Sequence, residues 1–193
     1  MISQSKTFIE VPVIEGARTT KPVDETKRLA ASEIKISIAD ETDAYRLAEG
    51  IYACFTQESI DKMEPPHLQP PMPTRLYLMA RRIQPTLSQP HMHWIKATHL
   101  PTNTIIGAAA WASPSLPVHN IFRKSAFTFY NWKNNLNLTD ADIDALYANV
   151  DDEVWSGTHA KNDEIRKEVV PEPHWYLASL ITWPERYGDM DTA

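Results

Sequence analysis

The sequence predicts an α+β domain in which a central, mostly antiparallel sheet is flanked by helices. Three observations carry that expectation. Residues 33–38, Glu-Ile-Lys-Ile-Ser-Ile, alternate strictly between polar and apolar, the period of a half-buried strand. Ala44, Leu47, Ala48, Ile51, Tyr52 and Phe55 then recur at the three- and four-residue spacing of one helical face. Residues 93–100 and 105–113, joined by the polar Pro101-Thr102-Asn103-Thr104, read as a hairpin.

In chain order, residues 1–32 mix Lys, Thr, Glu and Pro without sustained periodicity. They are expected to form a mobile N-terminal extension that packs little, with Phe8-Ile9-Glu10-Val11 the stretch in it suited to docking. The folded domain is expected over residues 33–193. Asp40 or Thr42 can cap the first helix. The prolines of residues 64–73 exclude a helix there. Thr74 is placed as the cap of a second helix with Leu76, Met79, Ala80 and Ile83 on one face, ended by Pro85 and Pro90. Gly107-Ala108-Ala109-Ala110 thins the second hairpin strand, as expected where a backbone or a ligand approaches closely. Residues 115–137 read as a loop insertion whose Phe127, Phe129, Tyr130 and Trp132 fold over the sheet. Thr139 and Asp142 form a capping box for a helix that buries Ile143, Leu146, Tyr147 and Val150. Gly157 is expected to interrupt, with a charged helix over residues 158–169 after it.

The final stretch, residues 174–184, is aromatic and β-branched and bounded by Pro173 and Pro184. Alternation places Tyr176, Ala178 and Leu180 on one face and Trp175, Leu177, Ile181 and Trp183 on the other. A strand apolar on both faces belongs in the middle of a sheet covered on both sides. Sequential strands usually neighbour one another, so it is expected beside residues 105–113 and antiparallel to them.

Composition narrows the functional classes. The 193 residues, 42% hydrophobic with a formal charge of −6, suit one soluble globular domain. The acidic balance and the lack of a Lys/Arg stripe speak against nucleic acid as a partner. No apolar run is long enough to span a bilayer, which speaks against a membrane partner. The single cysteine, Cys54, excludes an internal disulfide framework and points to a reducing, cytoplasmic setting. Fifteen prolines stand against five glycines, so phosphate-cradling loops have little glycine to draw on.

Among chemistry-bearing groups, His91 and His93 can share one face of a strand, but no third ligand follows at a metal-site spacing. A packed or rim histidine pair is the plainer reading, and no metal is expected. Cys54, beside Ile51 and Phe55, reads as a buried, inert thiol. No Gly-x-Ser-x-Gly elbow is present. Capping and helix-dipole complementarity account for Asp140, Asp142 and Asp144.

The stretch Tyr176-Leu177-Ala178-Ser179-Leu180-Ile181-Thr182-Trp183-Pro184-Glu185 resembles the signature strand of GNAT-type N-acetyltransferases, especially their fungal small-molecule branch. In that family an apolar strand ending Leu-x-x-x-Pro-Glu/Asp precedes a Gln/Arg-x-x-Gly-x-Gly/Ala loop and a helix, which bind the pyrophosphate of acetyl-CoA through backbone N–H groups. Leu180, Pro184 and Glu185 match, and Tyr187-Gly188 stands where Gln-Gly would. Asp189-Met190-Asp191 replaces the remaining glycines. The strand–helix opening with its Cys54-Phe55 ending and the Ile105-Ile106-Gly107 run also agree with the family pattern. The resemblance covers about residues 34–188.

The resemblance implies the N-terminal half of a GNAT-like fold, ended before the pyrophosphate loop. It implies an acetyl-CoA-dependent N-acetyltransferase lineage acting on an amine of a small molecule. Leu180, Ile181 and Thr182 are placed at the thioester through exposed main-chain groups, with Tyr187 and Gly188 beside the cofactor. Binding of acetyl-CoA is expected to be weak or absent and activity impaired, because Asp189 and Asp191 repel the phosphates. Glu185 could serve as a base, and no catalytic residue is assigned. An unpaired outer edge of the last strand would favour self-association. Two alternatives stay open: a non-catalytic binding or interaction module, and an unrelated α+β ligand-binding domain, which an edge position of the last strand would favour.

Overall fold

The computed structural model describes residues 29–183, so residues 1–28 of the expected N-terminal extension, Phe8-Ile9-Glu10-Val11 included, lie outside the described residues. The fold is mixed α+β, with strands β1 (Ile34–Ile38), β2 (Met92–His99), β3 (Thr104–Ala112) and β4 (Tyr176–Thr182). They form one antiparallel sheet in the order β1-β2-β3-β4. Between β1 and β2 lie α1 (Ala44–Cys54), α2 (Gln57–Met63) and α3 (Met72–Leu87). Between β3 and β4 lie the short α4 (Ala126–Phe129) and α5 (Trp132–Asn135), then α6 (Asp140–Leu146) and α7 (Asp152–Val169).

Side-chain caps explain three helix starts. Thr56 caps α2, and Thr139 and Asp142 exchange main-chain bonds at the start of α6. Asp40 accepts from Thr42 N–H in the 3-10 turn before α1, so it does not cap α1 itself, which like α3 starts without a side-chain cap. Asp151 accepts from Val154 N–H at 3.1 Å and caps α7. That helix runs unbroken through Gly157, where an interruption was expected. A mid-helix glycine costs only about 1 kcal/mol relative to alanine, and eighteen residues anchored by buried Trp155 and Asp163 absorb it. Helix α3 starts before Thr74, with Pro73 in its first turn, and continues past Pro85 to Leu87. Pro85 removes one backbone donor, but Ile83, Pro85 and Thr86 are buried there. The Thr86 hydroxyl donates to Ile83 O at 2.6 Å and accepts from Trp94 Nε1 at 2.8 Å.

One sheet face carries the core. Trp94, Ala108, Ala110, Ile181 and Trp183 pack there against Leu47, Ala48 and Ile51 of α1 and Met79 and Ile83 of α3. The insertion contributes to this core, since Phe127 and Trp132 are buried edge to face at 5.6 Å. Helix α1 approaches β4 most closely at Gly50. A Cβ built there would lie 2.6 Å from both Ile181 Cγ2 and Trp183 Cζ2. The close approach read at Gly107 is an ordinary strand contact, 3.5 Å from Ile181 O.

The terminal strand pairs antiparallel with β3 as the element order suggested, but it is not central among the described residues. It forms the end of the sheet among the described residues, the position set out above as favouring an unrelated α+β ligand-binding domain; residues 184–193, which follow it, lie outside the described residues. A β-bulge also changes its faces. Ala110 opposes Ser179 and Trp111 opposes Leu177, so Ala178 is an extra residue. The bulge moves Leu177 and Trp175 onto the face of Leu180, while Tyr176 joins Ser179 and Ile181 on the core face. Sequence alternation had grouped them otherwise. On the far face Ile36, Ile38, Trp175 and Leu180 are more than half exposed, so the expected cover on both sides is absent among the described residues.

Candidate functional site

The site is built on β4. Trp183 N–H donates to Ile106 O at 3.1 Å. In an antiparallel ladder the direction of the main-chain groups alternates. With Thr182 opposite Gly107 and Leu180 opposite Ala109, the main-chain groups of Leu180 and Thr182 therefore point to the outer edge. Those of Ile181 point to β3. Of the three residues expected to present main-chain groups, Ile181 is thus corrected to a core role, its side chain 1% exposed. The Thr182 carbonyl is engaged, accepting from Cys54 Sγ at 2.9 Å. Cys54 is itself exposed rather than buried, because it is the last residue of α1 and points past the core.

Beneath β4 lies a cavity of about 540 Å³, within the usual range for small-molecule sites. Helix α1 supplies Ile51 and Tyr52, α2 supplies Ile60 and Met63, α7 supplies Trp155, His159 and Asn162, and β4 supplies residues 176–180. Phe55, Asn120 and Phe122 complete the rim and wall. The bulged Ala178 and the outer-edge Leu180 both line this space. A second cavity, about 340 Å³, lies on the other side of Tyr176 and Asn120, against Pro117, His119 and Arg166.

The cavity wall includes one carboxylate, Glu64, and it is committed. Glu64 Oε2 accepts from Arg75 Nε at 2.8 Å, and Oε1 accepts from Tyr52 Oη at 2.6 Å. Arg82 Nη1 lies 3.9 Å from Oε1. The Arg82 fork donates to Leu146 O and to Asn149 Oδ1, and its guanidinium lies over the rings of Tyr147 and Trp155. Burial, with the Glu64 carboxylate beside it, raises the Tyr52 hydroxyl above its ordinary value. Burial also lowers the Arg82 guanidinium. The network ties α1, α3 and the segment after α2 to α6, and it fixes the cavity floor.

His159 is a further titratable group lining the cavity that sequence reading missed, as it missed Glu64. It lies between Trp155, 5.2 Å away edge to face, and Phe122, 6.1 Å away. Burial lowers its pKa below the ordinary 6.5, offset in part by Asp163. The imidazole is therefore neutral at pH 7 and can accept a proton. The only sequence signal for it was its spacing of four residues from Trp155 on the α7 face.

The remaining expected residues separate from this site. Tyr187 and Gly188, with Glu185, lie outside the described residues. His91 precedes β2 and approaches Ser115 Oγ at 3.2 Å, while the His93 ring packs 5.6 Å from Trp175. No group of three His, Cys, Asp or Glu among the described residues could hold a metal ion. No described helix is long and apolar enough to cross a membrane.

Fold and site together define the class as an α+β domain in which a bulged strand, the last of the sheet among the described residues, lines a cavity. No family model, curated protein or solved structure matches the chain.

Proposed function

We propose that this chain is a GNAT-like N-acetyltransferase domain that moves an acetyl group from acetyl-CoA to an amine of a small molecule. The observation that carries the reading is the outer edge of β4, where Leu180 presents main-chain groups beside the cavity after a bulge at Ala178. Acetyl-CoA supplies the activated thioester. The Leu180 N–H donates toward the acyl oxygen and orients it, which is where negative charge gathers as the amine attacks. A carbon–nitrogen bond forms and the carbon–sulfur bond breaks. His159, neutral at pH 7, takes the proton that the amine loses, and the departing thiolate takes one from solvent. The sequence after β4 carries Asp189 and Asp191 where the family resemblance sets glycines, so phosphate binding is weakened by charge.

Calorimetric titration of the whole chain with acetyl-CoA, paired with a thiol-release assay, tests this. The expected result is weak binding that tightens by about tenfold, roughly 1.4 kcal/mol, in the Asp189→Asn/Asp191→Asn double variant. No binding by either protein would refute the proposal.

A second reading, a non-catalytic interaction module, draws on the exposed apolar sheet face of Ile36, Ile38, Trp175 and Leu180. Acetyl-CoA-dependent turnover in the thiol-release assay decides against it.

A further inference from the structure

The cavity beneath β4 carries a statement about ligand class, and it follows from what its walls are made of. Among the described lining residues the only charged side chain is Glu64. It is 2% exposed, and both its oxygens already accept from Arg75 and Tyr52. A polyamine needs several carboxylates to replace the water lost by each ammonium, because an unpaired buried charge costs several kcal/mol. A ligand bearing its own carboxylate needs a cation in the wall, and none lines this cavity among the described residues.

The walls offer aromatic faces instead, from Tyr52, Phe55, Phe122, Trp155, His159 and Tyr176. Such faces bury flat apolar rings; guanidiniums already lie over the rings of Tyr52, Trp155 and Tyr176, which leaves Phe55 and Phe122 to hold a single ammonium by cation–π attraction, worth about 0.5–2 kcal/mol. Polar groups in the lining are few and neutral: Ser59, Ser179, Asn120 and Asn162. They suit one hydrogen-bonding head group, as in small-molecule sites generally.

We infer that this cavity binds a monoamine with a flat, apolar aromatic body, and that it discriminates against polyamines. The inference rests on the acetyl-transfer reading only for naming the ligand an acceptor; the binding itself needs no acetyl-CoA. The β4 residues 176–180 and His159 then line the same space that the amine occupies.

The test uses the whole chain without acetyl-CoA, titrated with tryptamine, 2-phenylethylamine, putrescine and spermine. The two aromatic monoamines are expected to bind at least about tenfold more tightly than either polyamine. Asn162→Trp is expected to abolish that binding with an unchanged melting temperature, because Asn162 is exposed on α7 yet lines the cavity. Met63→Asp places a second carboxylate in the wall and is expected to shift preference toward putrescine. Polyamine binding equal to or tighter than monoamine binding overturns the inference. So does monoamine binding that survives Asn162→Trp, which would locate it elsewhere. Failure of acetyl-CoA binding alongside selective tryptamine binding would sink the acetyl-transfer reading and leave this one standing.

Discussion

Replacing Gly50 by alanine tests the seat of β4 on α1, on which the whole site depends. Two effects compete. Gly50 lies inside α1, so alanine gains about 1 kcal/mol of helix propensity. Against this, the new Cβ would stand 2.6 Å from Ile181 Cγ2 and 2.6 and 2.7 Å from two Trp183 ring carbons. Neither neighbour can yield cheaply. Ile181 is 1% exposed and Trp183 2% exposed, and the Arg46 guanidinium covers the Trp183 ring at 4.4 Å. Overpacking of a filled core costs about 1–3 kcal/mol, and three contacts this short belong to the upper part of that range. The expected net effect is a loss of about 1–2 kcal/mol. Urea denaturation followed by Trp fluorescence measures it, with an unchanged m-value showing that the variant remains two-state. Gly157→Ala is the matched control, since nothing lies within 4 Å of a Cβ built there. It should stabilise by about 0.5–1 kcal/mol. If Gly50→Ala stabilised as much as the control, α1 would not press on β4, and the assignment of the cavity wall would be wrong.

Three further outcomes are expected. Glu64→Gln leaves the Arg75 and Arg82 guanidiniums without their buried carboxylate and should cost about 3–5 kcal/mol in chemical denaturation; a loss below 1 kcal/mol would show the network to be solvated. Asp151→Ala removes the cap of α7 and should cost about 1 kcal/mol, read from the same denaturation curves. The folded pKa of His159 lies below its ordinary 6.5, so below about that pH the unfolded chain binds more protons and stability falls as the medium is acidified. Asp163 opposes that shift, Arg123 reinforces it, and half-buried His119 shifts in the same direction. Melting temperature measured from pH 8 to pH 5 should therefore fall, and fall less in His159→Gln; parallel curves would show His159 to be solvent-exposed.

Much of the fold was legible because its causes are local. Strict alternation at residues 34–38, the helical stripe of α1 and the Thr139–Asp142 box each act within a few residues, so the sequence displays them directly. The order of strands followed from the shortness of the hairpin and from the rule that consecutive strands pair. The site was legible only in part. The resemblance singled out β4 and its Leu180–Thr182 segment, yet alternation misassigned its two halves, because a bulge at Ala178 is decided by pairing with β3. Prolines and glycines misled for a related reason. Pro85 and Gly157 carry local penalties near 1–3 kcal/mol, which burial in α3 and the length of α7 outweigh.

Sequence by itself determined the class, the Thr139–Asp142 cap of α6, the pairing of the last two strands and the acidic character after β4. Tertiary structure alone decided that Gly50 is the contact point, that Cys54 reaches solvent, and that Glu64 is neutralised by an arginine eleven residues further on. It also decided that His159, on a helix that read only as charged, turns into an aromatic cavity. The physical reason is common to all four. Each depends on which groups share a desolvated space, and that follows from long-range packing rather than from the period of a single element.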